Sequence, residues 1–267
     1  MIIPSPLSTG DTIGVMSPSS YITAQDLEKA KHIVESYGYK IYTHPQTLHK
    51  HHQSAGTSED KLNAFHDLVR NPDIKAIIFS SGGNRALHWV DKIDFDLVKA
   101  NPKIIMGFSD ITSILNIVNA KTGLRTFHGP NLRWFTTHEN NKEDIQQCFD
   151  ILSNPSTNNT QHLVGGNASI MQYLVHDLDF AGKTLFLEDW NIETSHLDLI
   201  FRHFRRTGIF DQIDKLILGQ FDNLLDTGRP YGFTIDDILV EHVPPNLSVT
   251  KNAPFGHGDR LITMPIG

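Results

Sequence analysis

The clearest indication of the fold class is the segment Lys103-Ile104-Ile105-Met106-Gly107-Phe108-Ser109-Asp110-Ile111-Thr112. Its first four residues, Lys103 to Met106, are apolar after the lysine and predict a short buried strand that ends at Gly107. Apolar residues then recur at helical spacing from Ile111 to Val118, which predicts a helix directly after the turn. A buried strand that passes at once into a helix is typical of α/β proteins with a parallel sheet.

The same alternation continues on the N-terminal side of this stretch. Further strands are predicted at residues 12–16, 40–42 and 76–79, with helices over 27–34 and 61–69 between them. We therefore predict an N-terminal parallel-sheet α/β domain over residues 1–135. Asparagine- and proline-containing segments weaken the pattern over 136–162, which we predict to be a linker.

A second run of elements follows the linker. We predict a helix from Ile170 to Val175, a strand at 184–187, a helix with an apolar face from Leu197 to Phe204 that ends at Gly208, and a strand at 216–218. The prediction for residues 163–267 is a smaller C-terminal α/β domain with a mixed β-sheet.

The composition excludes several classes of protein. The chain has 267 residues, 39% of them hydrophobic, and a formal net charge of -7, so it has no generic attraction for nucleic acid or an anionic membrane. Its single cysteine, Cys148, allows neither an internal disulfide nor a four-cysteine zinc site. No segment approaches the ~20 apolar residues that span a bilayer, and the N-terminus lacks the pattern of a secretory signal. These features predict a cytoplasmic protein.

Fifteen histidines raise the possibility of a metal site. His49, His51 and His52 lie close together, but in a polar stretch with no nearby acidic partner. This context favours a solvated loop, since metal sites need preformed geometry. We expect no metal and no cofactor.

Ser109 is a candidate nucleophile, because a serine on a sharp strand-to-helix turn has its hydroxyl lifted clear of the backbone. The next backbone N–H, that of Asp110, would lie at the positive end of the helix and suits an oxyanion. The second glycine of a G-x-S-x-G motif is replaced by Ile111. A plain helix-capping role for Ser109 therefore remains open.

A second turn, with Gly82 and Gly83 adjacent, also follows an apolar strand. Adjacent glycines let backbone amides approach a ligand closely. Gly83 could supply a second oxyanion donor, the turn could be a phosphate- or dinucleotide-binding loop, or it could be a plain tight turn. The sequence does not choose among these.

Near the C-terminus, His257 stands between two glycines, which would let an imidazole project from a loop as a general base needs. A carboxylate at a strand end should orient such a base. Glu188 and Asp189 directly follow the predicted strand 184–187 and are the first candidates, with Glu193 as a further possibility.

Several of these blocks together resemble the LD-carboxypeptidase family of serine peptidases, which includes the microcin C immunity carboxypeptidases. The similar blocks are Gly10 to Ser19, Ser81-Gly82-Gly83-Asn84, Asn101 to Thr112, Thr122-Gly123, His128-Gly129-Pro130, Gly165-Gly166-Asn167, Leu187-Glu188-Asp189 and Gly256-His257. The resemblance implies Ser109 as nucleophile, His257 as general base and Glu188 as its orienting partner. It also implies an oxyanion hole formed by the backbone amides of Gly83 and Asp110, and a homodimer.

The function we expect is hydrolysis of an L,D amide bond that releases a terminal D-amino acid from a murein tetrapeptide, in peptidoglycan recycling. The expected partner is thus a small peptide substrate. An immunity peptidase that cleaves an aminoacyl-nucleotide amide is the alternative within the family. A two-lobed ligand-binding protein and an inactive relative of the enzymes are the alternatives outside catalysis.

Overall fold

A computed structural model describes residues 1–157, 162–226 and 228–267. The chain folds into two compact units, of which the first comprises Met1–Asn159 with Ile262–Gly267 and the second comprises Thr160–Leu261. Each unit has its own sheet and its own buried apolar core.

The first unit is built on a six-stranded sheet with the strand order β10-β5-β4-β3-β1-β2. Its strands are β1 (Thr12–Val15), β2 (Lys40–Thr43), β3 (Ile74–Ile78), β4 (Ile104–Gly107), β5 (Thr126–His128) and β10 (Met264–Ile266). All neighbouring strands pair in parallel except β10, which is antiparallel to β5. The strands predicted at 12–16, 40–42, 76–79 and 103–106 are thereby confirmed, with boundaries that differ by one to two residues.

Helices α1 to α6 belong to this unit. They are α1 (Ala24–Ser36), α2 (Ser58–Arg70), α3 (Phe95–Ala100), α4 (Thr112–Thr122), α5 (Leu132–Thr137) and α6 (Lys142–Ser153). Local chemistry sets several of the helix starts: the Thr57 hydroxyl accepts from the Asp60 backbone N–H, and the Asp60 carboxylate accepts from the Thr57 N–H in return. The C-terminal end of α4 is closed by Gly123 in the left-handed conformation.

The second unit contains a four-stranded sheet with the order β6-β7-β8-β9. Its elements are β6 (Leu163–Asn167), α7 (Ala168–Met171), β7 (Thr184–Trp190), α8 (Thr194–Arg206), β8 (Lys215–Asp222), α9 (Ile235–His242) and β9 (Ser248–Thr250). Helix α8 buries Leu197, Ile200, Phe201 and Phe204, the apolar face that the sequence predicts. Every pair of strands in this sheet is parallel, whereas we predicted a mixed sheet here. The antiparallel pair lies in the first sheet instead.

The structure also differs from the predicted division of the chain. The segment 136–162, predicted as a linker, contains α6, whose residues Ile145, Cys148, Phe149 and Leu152 are buried. The last six residues, Ile262–Gly267, belong to the first unit, because β10 pairs with β5.

Within residues 1–157, 162–226 and 228–267, no helix combines the length and the apolar character needed to cross a membrane.

Candidate active site

Ser109 lies where β4 ends and a single 3-10 turn, Ser109–Ile111, leads into α4. Its φ is +66°, the left-handed region that a residue with a side chain adopts only at a cost of about 1–2 kcal/mol. The residues at the caps of the 3-10 turn and of α4 are Phe108 and Ile111, and neither start has a side-chain cap. The capping role that the sequence left open for Ser109 is therefore wrong, and strain of this kind is typical of functional turns.

The Gly82-Gly83 turn faces the Ser109 side chain. A Cβ atom on Gly82 would lie 2.9 Å from Ser109 Cβ, 3.0 Å from Ser109 Oγ and 3.7 Å from the Asp110 backbone N. Gly83 has φ +147°, and a Cβ there would collide with the side chains of Ser19 and Ser20. Glycine is thus required at both positions, at Gly82 by the closeness of Ser109 and at Gly83 by backbone conformation and crowding.

The Asp110 side chain ties these two turns together. Its Oδ2 accepts hydrogen bonds from the backbone N–H groups of Arg85 and Ala86, each at 2.8 Å. The Arg85 N–H also donates to Ser19 Oγ at 2.8 Å. Sequence reasoning used only the backbone of Asp110 and missed this role of the carboxylate. The signal for it was an acidic residue in the first turn of a helix, where it can accept from nearby backbone donors.

In the second unit, Glu188 and His257 form a hydrogen-bonded pair. Glu188, near the end of β7, is fully buried, and its Oε2 lies 2.7 Å from His257 Nδ1. With Nδ1 donating to Glu188, Nε2 is left as the basic nitrogen. Burial opposes protonation of the imidazole, but the Glu188 carboxylate, assisted by Asp189 and Asp222, outweighs it and raises the pKa of His257.

A ring contact and a backbone hydrogen bond in the preceding loop help to position His257. The indole of Trp190 stacks on it, with ring centroids 5.7 Å apart and an interplanar angle of 16°. The loop that carries His257 is joined to β8 where the Gln220 N–H donates to the Phe255 carbonyl at 2.8 Å. A positive φ at Gly256, +145°, then turns the chain into His257.

The structure distinguishes the three carboxylates that the sequence left as candidates. Asp189 is occupied by other donors: Asn167 Nδ2 at 3.0 Å, the Ser169 N–H at 2.8 Å and hydroxyl at 2.7 Å, and the Trp190 N–H at 2.8 Å. Glu193 stands at the start of α8, where its carboxylate is a long 3.5 Å from Ser195 Oγ. Glu188 alone of the three contacts His257.

The predicted site residues therefore form two groups. Ser109 with Gly83 and Asp110 lies in the first unit, and Glu188 with His257 lies in the second. Within the residues that the structure describes, no three His, Cys, Asp or Glu side chains are grouped so that they could hold a metal ion.

Comparison with known proteins identifies the family. Residues 13–129 match the model of the LD-carboxypeptidase N-terminal domain, and residues 160–267 match that of the LD-carboxypeptidase C-terminal domain. The chain belongs to the LD-carboxypeptidase family. This confirms the resemblance that the sequence blocks indicate, and peptidase chemistry comes with the family.

Two curated relatives are similar to this chain over nearly all of its length. A probable murein peptide carboxypeptidase of Bacillus subtilis is 26% identical, over 99% of this chain and 89% of its own length. The microcin C7 self-immunity protein MccF of Escherichia coli is 25% identical, over 100% and 91% of the two chains.

Two solved structures share the two-unit α/β fold. A structure of MccF in complex with glutamyl sulfamoyl guanosine has a TM-score of 0.89 at 24% identity, covering 100% of this chain and 94% of that one. The muramoyltetrapeptide carboxypeptidase of Oxalobacter formigenes has a TM-score of 0.85 at 22% identity, covering 96% and 92%. The predicted α/β fold class is thereby confirmed.

Proposed function

We propose that the chain is a serine-type LD-carboxypeptidase that hydrolyses an L,D amide bond and releases the terminal D-amino acid of a murein tetrapeptide. The observation that carries this proposal is the left-handed conformation of Ser109 at a strand-to-helix turn, opposite a glycine turn that leaves room for its hydroxyl. Nothing in helix capping requires this strained geometry, whereas a nucleophile exposed for attack does.

The proposed reaction proceeds in two steps. Ser109 Oγ attacks the scissile carbonyl carbon while His257 Nε2 takes the hydroxyl proton, and the backbone N–H groups of Gly83 and Asp110 stabilise the resulting oxyanion. The C–N bond then breaks as His257 gives its proton to the leaving amine of the D-residue. Water, deprotonated by His257, hydrolyses the acyl-enzyme and restores Ser109.

Glu188 would serve this reaction without contacting the substrate. Its hydrogen bond to Nδ1 holds the imidazole in the tautomer whose Nε2 is unprotonated and basic, and its charge stabilises the imidazolium that forms after proton transfer. A fully buried carboxylate is well suited to this, because solvent does not screen the interaction.

A second candidate substrate has a specific basis in the likeness to MccF, which is as extensive as the likeness to the murein peptide carboxypeptidase. In this alternative the same chemistry cleaves the amide between an aminoacyl group and a nucleotide. Both candidates place an acyl group on Ser109; the leaving group is a D-amino acid in the first and the nucleotide part in the second. We further propose that the enzyme acts in peptidoglycan recycling as a cytoplasmic homodimer, and size-exclusion chromatography with light scattering checks the dimer.

The test is incubation with a murein tetrapeptide and, separately, with an aminoacyl nucleotide, followed by mass spectrometry. Wild type is compared with Ser109→Ala and with Ser36→Ala, a matched loss of a hydroxyl at an exposed serine of α1. We expect wild type and Ser36→Ala to release D-alanine or the nucleotide and Ser109→Ala to release neither. Identical behaviour of all three proteins, with both substrates left intact, would refute the proposal in favour of a non-catalytic binding protein.

A further inference from the structure

A cavity of about 550 Å³ opens on the first unit, beside the glycine turn that faces Ser109. Its lining includes His51, His52, Ser54, Thr57, Asn84 and Arg85. This volume is within the range of pockets that bind small molecules. The lining comes from the loop before α2, from the first residues of that helix and from the end of the glycine turn.

The charges around this cavity favour an anion. The Arg85 side chain is exposed, and over the described part of the chain its guanidinium has neither a carboxylate partner nor a hydrogen bond. Behind the cavity wall, the fully buried Lys61 donates a hydrogen bond from Nζ to Ser54 Oγ. Burial and the nearby charge of Arg85 lower the pKa of Lys61 to about 8. Lys61 and Arg85 therefore lie close enough for their charges to interact, at the same wall of the cavity.

Hydrogen bonds engage both nearby carboxylates. Asp60 accepts from the N–H and hydroxyl of Thr57 at the start of α2, at 2.7 and 2.8 Å. Asp110 accepts from the backbone N–H groups of Arg85 and Ala86 through Oδ2. Neither carboxylate forms an ion pair with Arg85, although the first turn of α2 also carries a second acid, Glu59.

The position of Arg85 in the chain links this cavity to the proposed reaction. Arg85 follows Gly83, the proposed oxyanion donor, by two residues, and its own N–H is fixed by Ser19 and Asp110. A carboxypeptidase must distinguish a free terminal carboxylate from a peptide that continues, and a cation near the oxyanion site can make that distinction. Arginine suits this task because its planar guanidinium can bind both carboxylate oxygens at once.

We propose that Arg85 and this cavity bind the anionic end of the leaving group, which in a murein tetrapeptide is the carboxylate of the terminal D-residue. This inference rests on the proposed function for the identity of the ligand. The phosphate of a nucleotide leaving group has the same chemistry, so Arg85 would determine exopeptidase specificity for either substrate.

The experiment compares a tetrapeptide that ends in a free carboxylate with the same peptide as a C-terminal amide. On both peptides we measure kcat and KM for four proteins: wild type, Arg85→Gln, Arg85→Lys and the control Arg70→Gln. Arg70 is exposed at the far end of α2, roughly 18 Å along the helix from its start. For Arg85→Gln we expect kcat/KM on the free acid to fall about 10- to 100-fold, because the substrate loses a charge-assisted hydrogen bond to the enzyme. The fall should come from a higher KM, with kcat little changed. Arg85→Lys should recover part of this loss.

The amide peptide separates recognition from a structural effect. Wild type should prefer the acid over the amide, and Arg85→Gln should lose that preference because its activity falls far more on the acid than on the amide. An Arg85→Gln enzyme that keeps the wild-type preference, or that loses activity equally on both peptides, overturns the inference. With an aminoacyl nucleotide as the third substrate, a loss confined to the nucleotide would overturn the carboxylate assignment and show that the cavity binds phosphate instead.

Failure of the proposed function would be recognised separately, because wild type would then cut none of these substrates. A titration with inorganic phosphate, followed by calorimetry, still tests the cavity in that case. Binding by wild type and Arg70→Gln that Arg85→Gln lacks supports an anion site. Equal binding by all three proteins, or none by wild type, counts against it.

Discussion

The closeness of Gly82 to Ser109 makes Gly82→Ala the sharpest perturbation of the proposed nucleophile. The added methyl would lie 2.9 Å from Ser109 Cβ and 3.0 Å from its Oγ, whereas non-bonded carbon atoms prefer about 3.5–4.0 Å. The shortfall is thus about 0.6–1 Å. Gly82 is not among the glycines with positive φ, so alanine meets no conformational barrier there and the overlap is the whole effect.

Relief of that overlap must displace either the Ser109 hydroxyl or the glycine turn. Overpacking of this size costs about 1–3 kcal/mol of stability. A displacement near 1 Å in an active site costs about 100-fold in rate. We therefore expect Gly82→Ala to fold, with its Tm lowered by about 2–4 °C per kcal/mol, and to lose roughly 100-fold in kcat on the tetrapeptide.

The assay measures kcat, KM and Tm for wild type, Gly82→Ala and the control Gly228→Ala, where an added Cβ has no atom within 4 Å. Gly228→Ala should match wild type in all three quantities. A folded Gly82→Ala enzyme with wild-type kcat would refute the reasoning, since the Ser109 hydroxyl would then not be where catalysis takes place.

Three further predictions follow from the geometry. Because Ser109 has φ +66°, Ser109→Gly should be about 1 kcal/mol more stable to urea than Ser109→Ala, although both are inactive; equal stability would contradict the strain. Glu188→Gln removes the charge that raises the pKa of His257 and leaves the burial that lowers it. The acid limb of the pH profile of kcat/KM should therefore move to lower pH, and the plateau of that profile should fall by about 10⁴-fold. An acid limb that does not move would contradict the pairing of Glu188 with His257. Lys61 has a pKa of about 8 in the fold and 10.5 as a free side chain, so between these two pH values the unfolded chain binds more protons than the folded chain. The free energy of unfolding should therefore rise with pH over this range. Lys61→Met should lack this rise.

The sequence predicted four of the six strands of the first sheet, β1 to β4, because each of these is a short, mostly apolar run that ends in a turn signal. The Ser109 turn was predicted for the same reason, because strand β4 and helix α4 adjoin with only Phe108 to Ile111 between them. The interpretation as a nucleophile rather than a cap needed the backbone φ, which depends on packing around the turn and has no local signature.

Elements defined by distant partners were missed. Strand β10 has three residues, one of them Pro265, and exists because it pairs with β5 more than 130 residues earlier in the chain. In β6, Gly165 and Gly166 look like a turn, yet they lie in a strand. A Cβ on Gly165 would collide with the Phe186 carbonyl of β7, so glycine permits a close approach of two backbones there rather than a bend.

The adjacent carboxylates of β7 illustrate why sequence could propose Glu188 but not exclude Asp189. In a regular strand successive residues point to opposite faces, but the pairing of β7 with β8 shifts register between Leu187 and Asp189, so the sequence alone does not tell which carboxylate meets His257. In the fold, Asp189 receives hydrogen bonds from Asn167, Ser169 and Trp190, although burial and the neighbouring Glu188 charge raise the pKa of its carboxyl. Asp189 thereby fixes the backbone of Trp190, whose ring stacks on His257. One carboxylate thus binds the imidazole directly, while its neighbour holds the backbone of the residue whose ring stacks on the imidazole face, so the two acids support His257 in different ways.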